Sequence, residues 1–507
     1  MGRLIVASNR VGDFKSGFQA GGLAVALGEV MKARGGLWFG SVDVEGSNPD
    51  IGVVREPAEG AEGVEFYRVP IGRDEYKAYY FGFANSILWP VFHNRIDLAR
   101  FDNGFYKSYR KVNERFADAI AQRAKPGDVI WVHDYHLIPL GAELRKRGVN
   151  NPIGFFLHIP FPPGDVFASV SQHEEITKTL AHYDLVGFQT MKDTAAFLNY
   201  AQRHAGGRIV SDGRLRIGAW SFVCASFPVG IDADEFARAA AEVEREPKGI
   251  PAFAADRNIH NIIGVDRLDY SKGLLQRFQA FGKFLEMNPH RHGQVTFTQI
   301  APPTRQGLSP YKQMQNELER LAGSINGRFG NLGWVPIHYI HRGFPRHCLA
   351  GLFRSAKVGL VTPTQDGMNL VAKEYVAAQN EADPGVLVLS KFAGAAEELK
   401  DALIVNPYDI EECAQVIEQA LQMPLKERCR RHAAMFDLVR SRDIHHWSGT
   451  FIGKLEDVAE QRASATIPAF IASDHFTSMA RRKLRAASGS SVPRLGKPDD
   501  AKPVIAS

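Results

Sequence analysis

At 507 residues, 45% hydrophobic and 23% charged, the chain is too long for one ordinary core and has the composition of a globular protein, so two domains of roughly 200 to 250 residues are expected. A net charge of +5 is small for this size and is partly collected near the C-terminus (Arg481, Arg482, Lys483, Arg485), which argues against nucleic acid and leaves anionic small substrates open. No run approaches the roughly 18 to 20 apolar residues that cross a bilayer, and the start MGRLIVASNR falls short of a signal peptide. The cysteines Cys224, Cys348, Cys413 and Cys429 are scattered without a CxxC pair, so the chain is expected in a reducing cytoplasm, without disulfides, a thiolate metal site or a membrane.

In chain order, LIVAS (4–8) is a predicted strand with Arg10 directly after it, and Gly21-Gly22 opens a predicted helix, LAVALGEVMKA. Gly-Gly before a helix admits close approach by a phosphate or sugar, but it also serves any tight turn. The stretch YYFGFANSILWPVFHNR (79–95) supplies Tyr80 and Trp89, which either line a sugar site or belong to the core. VIWVH (129–133) ends at Asp134 and IGFFLH (153–158) at His158. HDYH lacks the third ligand a metal motif needs, and a lone histidine is more often structural. LVGF (185–188) follows, then FPVGID (227–232), which closes a strand-like run before a charged, helix-like segment (233–246).

The alternation then restarts with NIIGV (261–265), VTFTQI (295–300), KVGLV (357–361), VLVLS (386–390) and IVNP (404–407). Strands alternating with amphipathic helices predict an α/β protein of two doubly wound parallel sheets, over residues 1–232 and 233–462, followed by a flexible basic tail over 463–507. Ligands of such sheets bind beyond the C-terminal ends of the strands, so the chemistry is expected there.

GVDRLDYSKG (264–273) places Arg267 and Lys272 on a loop between a strand and the helix GLLQRFQAFGKFLEM, where two cations can straddle a departing diphosphate. LVTPTQDGMNLVAKEYVAAQN (360–380) leaves a strand, passes Asp366-Gly367 and enters a helix predicted to begin near Met368, offering free N–H groups to a diphosphate. Glu374, about two turns in, could accept from a ribose, and Asp366 from sugar hydroxyls. Equally, Asp366 could be a plain N-cap, Glu374 an exposed helix residue and the two cations solvated surface charges. Arg305, after VTFTQI and a Pro-Pro turn, adds a third cation.

Together SNR, AGGLAV, GGLWFG, NSILWPVFH, WVHDYHL, FFLHIPFP, GFQT, FPVGID, GVDRLDYSKG, TQIAPPTR, DGMNLVAKEYV and PGVLVLSKFAGAAEEL, in this order over roughly residues 3–460, resemble the trehalose-6-phosphate synthase family of retaining glycosyltransferases. The resemblance implies a twin-Rossmann GT-B fold with glucose 6-phosphate held mainly by the N-terminal domain and UDP-glucose by the C-terminal one, the last helix being free to pack back on the first domain. It implies no cofactor and no required metal, Arg267 and Lys272 serving instead. It also implies that Gly21, Gly22, Arg267, Lys272, Phe344, Leu370, Val371 and Glu374 bind the donor nucleotide or diphosphate, and that His158 and Asp366 hold the transferred glucose. Arg10, Tyr80, Asp134 and Arg305 would bind the acceptor, with Trp89 shaping the anomeric geometry. Another acceptor such as glycerol 3-phosphate, another nucleotide, or a sugar-phosphate sensor without turnover are the alternatives, and a homo-oligomer is left open. The chain departs from the family at Ser41, where a second Trp is usual, which predicts a roomier pocket, and in the uncommon loop VGDFKSGFQA (11–20).

Overall fold

A computed structural model describes residues 2–12, 14, 22–44, 52–210, 213–245, 259–305 and 307–466. Two compact units are formed, Met1–Glu456 and Asp457–Ser507. The second contributes, among its described residues, only the end of the helix Ile444–Thr466. Gly21 and most of the 11–20 loop lie outside the described residues, as does the expected tail from residue 467 onward.

The first unit contains two largely parallel sheets. The N-terminal sheet is built on β1 (Leu4–Ala7), β2 (Gly36–Val44), β3 (Val54–Pro57), β4 (Val64–Gly72), β5 (Val129–His133), β6 (Ile153–Phe156), β7 (Leu185–Phe188), β8 (Arg208–Ile209), β9 (Leu215–Ile217) and β10 (Trp220–Ser226). Its order is β3-β4-β2-β1-β5-β6-β7-β10-β9-β8, antiparallel only at its two ends. The second sheet carries β11 (His260–Val265), β12 (Val295–Ile300), β13 (Ile337–Ile340), β14 (Val358–Val361), β15 (Val386–Ser390) and β16 (Leu403–Val405) in the order β13-β12-β11-β14-β15-β16.

Counted from its own first strand, the second sheet runs 3-2-1-4-5-6, and β4-β2-β1-β5-β6-β7 of the first sheet repeats that order. This is the doubly wound Rossmann arrangement, and its strand order reverses between β1 and β5 and between β11 and β14. At those two points the loops leave in opposite directions and open a crevice. The runs VIWVH, LVGF, VTFTQI and VLVLS read from sequence are strands with those bounds, because both faces of a parallel strand are covered and the run is continuously apolar. In the first unit the start of the helix Ile444–Thr466 packs on the first sheet. Trp447 and Phe451 lie 4.8 and 4.7 Å, ring to ring, from Trp131, and Phe451 lies 5.0 Å from Phe227.

The aromatic segment 79–95 is largely helical, but of an unusual kind. Lys77–Leu88 is a π-helix, followed by an α-turn, Trp89–Phe92, with Pro90 in its first turn. Asn85 Nδ2 and Ser86 Oγ donate to the carbonyls of Tyr80 and Phe81, five residues back, reinforcing the wide turn. Such bulged turns collect at functional sites, and this one ends on Trp89.

Candidate active site

Arg10, Asp134, His158, Arg267, Lys272, Arg305 and Asp366 stand on loops and short turns beyond the C-terminal ends of strands, Tyr80, Trp89, Leu370, Val371 and Glu374 stand on helices, and most of them fall into three groups around the two reversal points.

The first group surrounds Arg10, just past β1. Its loop is held from several sides: Trp38 Nε1 donates to Ser8 Oγ, Ser8 Oγ to the Arg10 carbonyl, and Tyr79 OH to Asn9 Oδ1. Ser41 Oγ donates to the Asn9 carbonyl at 2.6 Å, so this buried serine is a strut under the Arg10 loop. The Arg10 guanidinium donates to Tyr76 OH at 2.6 Å and lies 5.9 Å from the Tyr80 ring, which stacks on His136 at 5.6 Å. Burial, with Arg305 and Arg10 adding to it, drives the His136 pKa well below the usual histidine range. The two arginines, one from each sheet, thus bear on the same ring.

The second group centres on Arg305. Its Nη1 donates to Asp269 Oδ2 at 2.6 Å and to Tyr311 OH at 2.8 Å, and its Nη2 reaches Tyr135 OH at 3.2 Å. Tyr135 OH in turn donates to Asn85 Oδ1 of the π-helix. The guanidinium lies 3.8 Å from the Trp89 ring, and that of Arg267 lies 5.7 Å from the same ring. Burial opposes the charge on Asp269, but Arg305 and Arg267 outweigh it and hold the carboxyl down at about 2. Arg305 Nε and Trp89 Nε1 are buried without a protein partner.

The third group is the donor side. Lys272 Nζ and Asp366 Oδ2 form a 2.5 Å ion pair across the β11/β14 reversal, both side chains mostly covered. Gly367 lies so close beneath the His158 carbonyl that a Cβ there would sit 2.2 Å from its oxygen, which brings Asp366 alongside His158. Helix Leu370–Ala378 begins two residues later than predicted, because Asn369 turns left-handed (φ 68) and caps it. Glu374 therefore stands about one turn in, not two. Burial raises the Glu374 carboxyl above the usual range. With Leu370, Arg346, Gly230 and Ala26 it lines a small open pocket between this helix and the one that begins at Gly22. Val371 follows Leu370 in the first turn of this helix. Phe344 stands on the loop after β13 with the Arg342 guanidinium 4.9 Å from its ring.

Backbone strain is concentrated here. Among the described residues Asn94, Asp134, Arg305 and Asn369 are the non-glycine residues with positive φ, and three of the four belong to the site. Asp134 (φ 74, ψ 166) occupies a region otherwise almost confined to glycine, a strain of about 1–3 kcal/mol that persists only where the surroundings over-determine it. Its Oδ1 accepts from the His158 N–H at 3.2 Å.

Burial lifts the Asp134 carboxyl to about 7, against the lowering effect of those backbone N–H groups and of Arg305. The folded protein thus keeps this proton while the unfolded chain, titrating near pH ~4, has lost it. The stability it contributes is full below that lower value and is lost as pH rises through about 7. Asp134→Asn keeps the acceptor oxygen and removes the titration, so it should stabilise the protein by about 2 kcal/mol more at pH 8 than at pH 5. Equal shifts in thermal melts at both pH values would show the carboxyl already ionised at pH 5.

Several residues of the site were not singled out in the sequence. Asp269 and Asp266 lie inside GVDRLDYSKG. Arg277, fully buried on the following helix, donates to Asp266, Gln299, Thr362 and the Lys272 carbonyl, and so anchors the donor loop from below. The only sequence signal for it is an arginine on the apolar face of that helix. Tyr311 gave none, and His133 and Tyr135 appeared only within HDYH, weighed there as a metal motif.

No helix among the described residues is long and apolar enough to cross a membrane, and no group of three or more His, Cys, Asp or Glu among them could hold a metal ion. Comparison with known proteins agrees with the geometry. The glycosyltransferase family 20 profile matches residues 6–457. A trehalose-6-phosphate synthase of Citrobacter koseri is 47% identical over 467 residues, covering 91% of this chain and 97% of that one. The crystal structure of a UDP-forming α,α-trehalose-phosphate synthase from Burkholderia xenovorans with glucose-6-phosphate is 45% identical, with a TM-score of 0.85 over 90% of this chain and 100% of that one. The Escherichia coli protein bound with UDP-2-fluoro glucose is 44% identical, with a TM-score of 0.83 over 89% and 98% of the two chains. The chain belongs to glycosyltransferase family 20, with the GT-B fold and the retaining chemistry of its trehalose-6-phosphate synthases.

Proposed function

We propose that the chain transfers glucose from UDP-glucose to glucose 6-phosphate with retention, forming α,α-trehalose 6-phosphate and UDP. The observation that carries this reading is the pairing of two cationic centres at two strand-order reversals: Lys272 with Asp366 beside His158 on one, and Arg305 with Trp89, Tyr80 and Arg10 on the other. The relatives with glucose-6-phosphate and with UDP-2-fluoro glucose support both substrates.

In this reading residues 1–232 hold mainly the acceptor and residues 233–462 mainly the donor. Arg10, Tyr80 and Arg305 take the acceptor phosphate, Asp134 its hydroxyls, and Trp89 sets its anomeric end. Leu370, Val371, Glu374, Phe344 and the Gly21-Gly22 turn take the nucleotide, while His158 and Asp366 take the transferred glucose. The anomeric hydroxyl oxygen of the acceptor bonds to C1 of the donor glucose as the bond from C1 to the diphosphate oxygen breaks. The acceptor's proton passes to that departing oxygen, and Arg267 and Lys272 stabilise the charge developing there. Small-molecule substrates suffice as partners, and the reaction belongs in the cytoplasm.

The test is product identification with purified protein, a panel of nucleoside diphosphate glucoses and phosphorylated acceptors, with and without EDTA. Trehalose 6-phosphate from UDP-glucose at an unchanged rate in EDTA is expected. Loss of turnover in EDTA with rescue by Mn²⁺ or Mg²⁺ would overturn the metal-free role of Arg267 and Lys272, and a different preferred acceptor would overturn the assignment of substrate.

A further inference from the structure

His133 closes β5 and His158 follows β6, its neighbour in the sheet, and the ring nitrogens His133 Nδ1 and His158 Nε2 stand 3.1 Å apart. We propose that His133 is a positioning residue that locks His158 in the Nδ1–H tautomer, so that His158 meets the donor sugar as a hydrogen-bond donor. This rests on the proposed function for the identity of the sugar, but the tautomer follows from the protein alone.

The contact needs one proton between the two nitrogens, and burial keeps both rings neutral, His158 at about 3 and His133 well below its usual value, with His158 adding to the effect there. Two arrangements are then open. Either His133 Nδ1–H donates to His158 Nε2, or His158 Nε2–H donates to His133 Nδ1 and the remaining proton of His133 sits on Nε2.

The surroundings of His133 decide between them. Its Nε2 is buried with no hydrogen-bond partner. The rings against it are Trp131 at 4.4 Å, Trp447 at 6.3 Å and Phe156 at 6.5 Å, and the indole N–H groups of both tryptophans are themselves buried without an acceptor. A proton on His133 Nε2 would add a third orphaned donor to a pocket that holds no acceptor. A lone pair there leaves an unmatched acceptor, which is more readily tolerated than an unmatched N–H.

The His133 proton therefore sits on Nδ1, His158 Nε2 accepts it, and the His158 proton is left on Nδ1. That nitrogen has no protein partner among the described residues, and His158 is only half-buried. Asp366, brought alongside by the close approach of Gly367, can only accept, and one of its oxygens already faces Lys272. One donor and one acceptor then face the sugar hydroxyls, and the direction of each hydrogen bond is set before the substrate arrives. Second-layer partners fix imidazole tautomers in the same manner at other active sites.

Long-range ¹H–¹⁵N spectra of the ligand-free protein, with the His158 signals assigned by their loss in His158→Gln, read the tautomer directly. Nδ1–H at both His133 and His158, the minor form of free histidine in water, is the expected result. His133→Phe should shift His158 toward Nε2–H and lower kcat/KM for UDP-glucose about 10-fold or more, whereas His133→Asn, whose Nδ2–H can donate from nearly the same place, should recover activity to within about threefold. Thermal melts of both variants separate this from a loss of folding. His158 protonated on Nε2 in the unaltered protein would overturn the proposal, as would equal losses in the Phe and Asn variants with the tautomer unmoved. A correct tautomer with no glucose transfer would instead count against the function and leave the lock standing.

Discussion

Lys272→Ala should lower kcat/KM with UDP-glucose by at least about 100-fold while leaving the fold intact. Loss of one preorganised donor to a developing charge typically costs about 3 kcal/mol, which is that factor. The pair with Asp366 sharpens this expectation, because it places an acceptor directly on the cation. In the proposed reaction the diphosphate would take Lys272 from this pair and leave Asp366 to accept from sugar hydroxyls. Both side chains keep some contact with water, so losing Lys272 does not strand a fully buried carboxylate, and melts should move little. Asp366→Asn should also lower turnover, with Lys272 still able to bind UDP. A change under about threefold in Lys272→Ala would return this lysine to the surface-charge reading.

What the sequence revealed of this site, and what it hid, follows from where each kind of information resides. Arg267, Lys272, Asp366 and His158 were legible because they follow continuously apolar strands, and in a doubly wound sheet the loops after such strands face the ligand. The strand Gly36–Val44 was read only as a motif, since Gly40, Ser41 and Asp43 interrupt its apolar run, although it lies beside β1 in the centre of the sheet. The π-helix could not be read because its period depends on Asn85 and Ser86 reaching back to carbonyls, a choice that composition does not announce. The bond from Ser41 to the backbone of a loop 32 residues earlier was equally hidden, because the sequence showed there only a serine in place of a tryptophan. Asp269, Arg277 and His133 act through contacts with residues distant in sequence, and single-sequence periodicity carries no trace of those pairings.

Arg305→Ala should weaken the use of glucose 6-phosphate by about 30-fold to several thousand-fold, the equivalent of roughly 2–5 kcal/mol for losing a charge-assisted contact from a desolvated site, while UDP binding stays nearly intact. The reaction with free glucose, which brings no phosphate, should hardly change. The pairing of Arg305 with Asp269 adds a condition that sequence alone did not supply. Asp269 is fully buried, and its carboxyl is kept ionised chiefly by this arginine, so removing Arg305 alone leaves a buried charge uncompensated and should destabilise the fold by about 3–5 kcal/mol. Loss of acceptor use in the single variant would therefore mix two effects. The double variant Arg305→Ala/Asp269→Asn separates them, since a neutral amide in place of the carboxylate removes the stranded charge, its one oxygen can still accept from the Ser271 N–H, and its NH2 can donate to the Tyr311 hydroxyl oxygen. It should recover most of the lost melting temperature and none of the lost discrimination between glucose 6-phosphate and glucose. If the double variant regained glucose 6-phosphate along with its stability, Arg305 would be a structural counter-ion to Asp269, and the acceptor phosphate would belong to Arg10 alone.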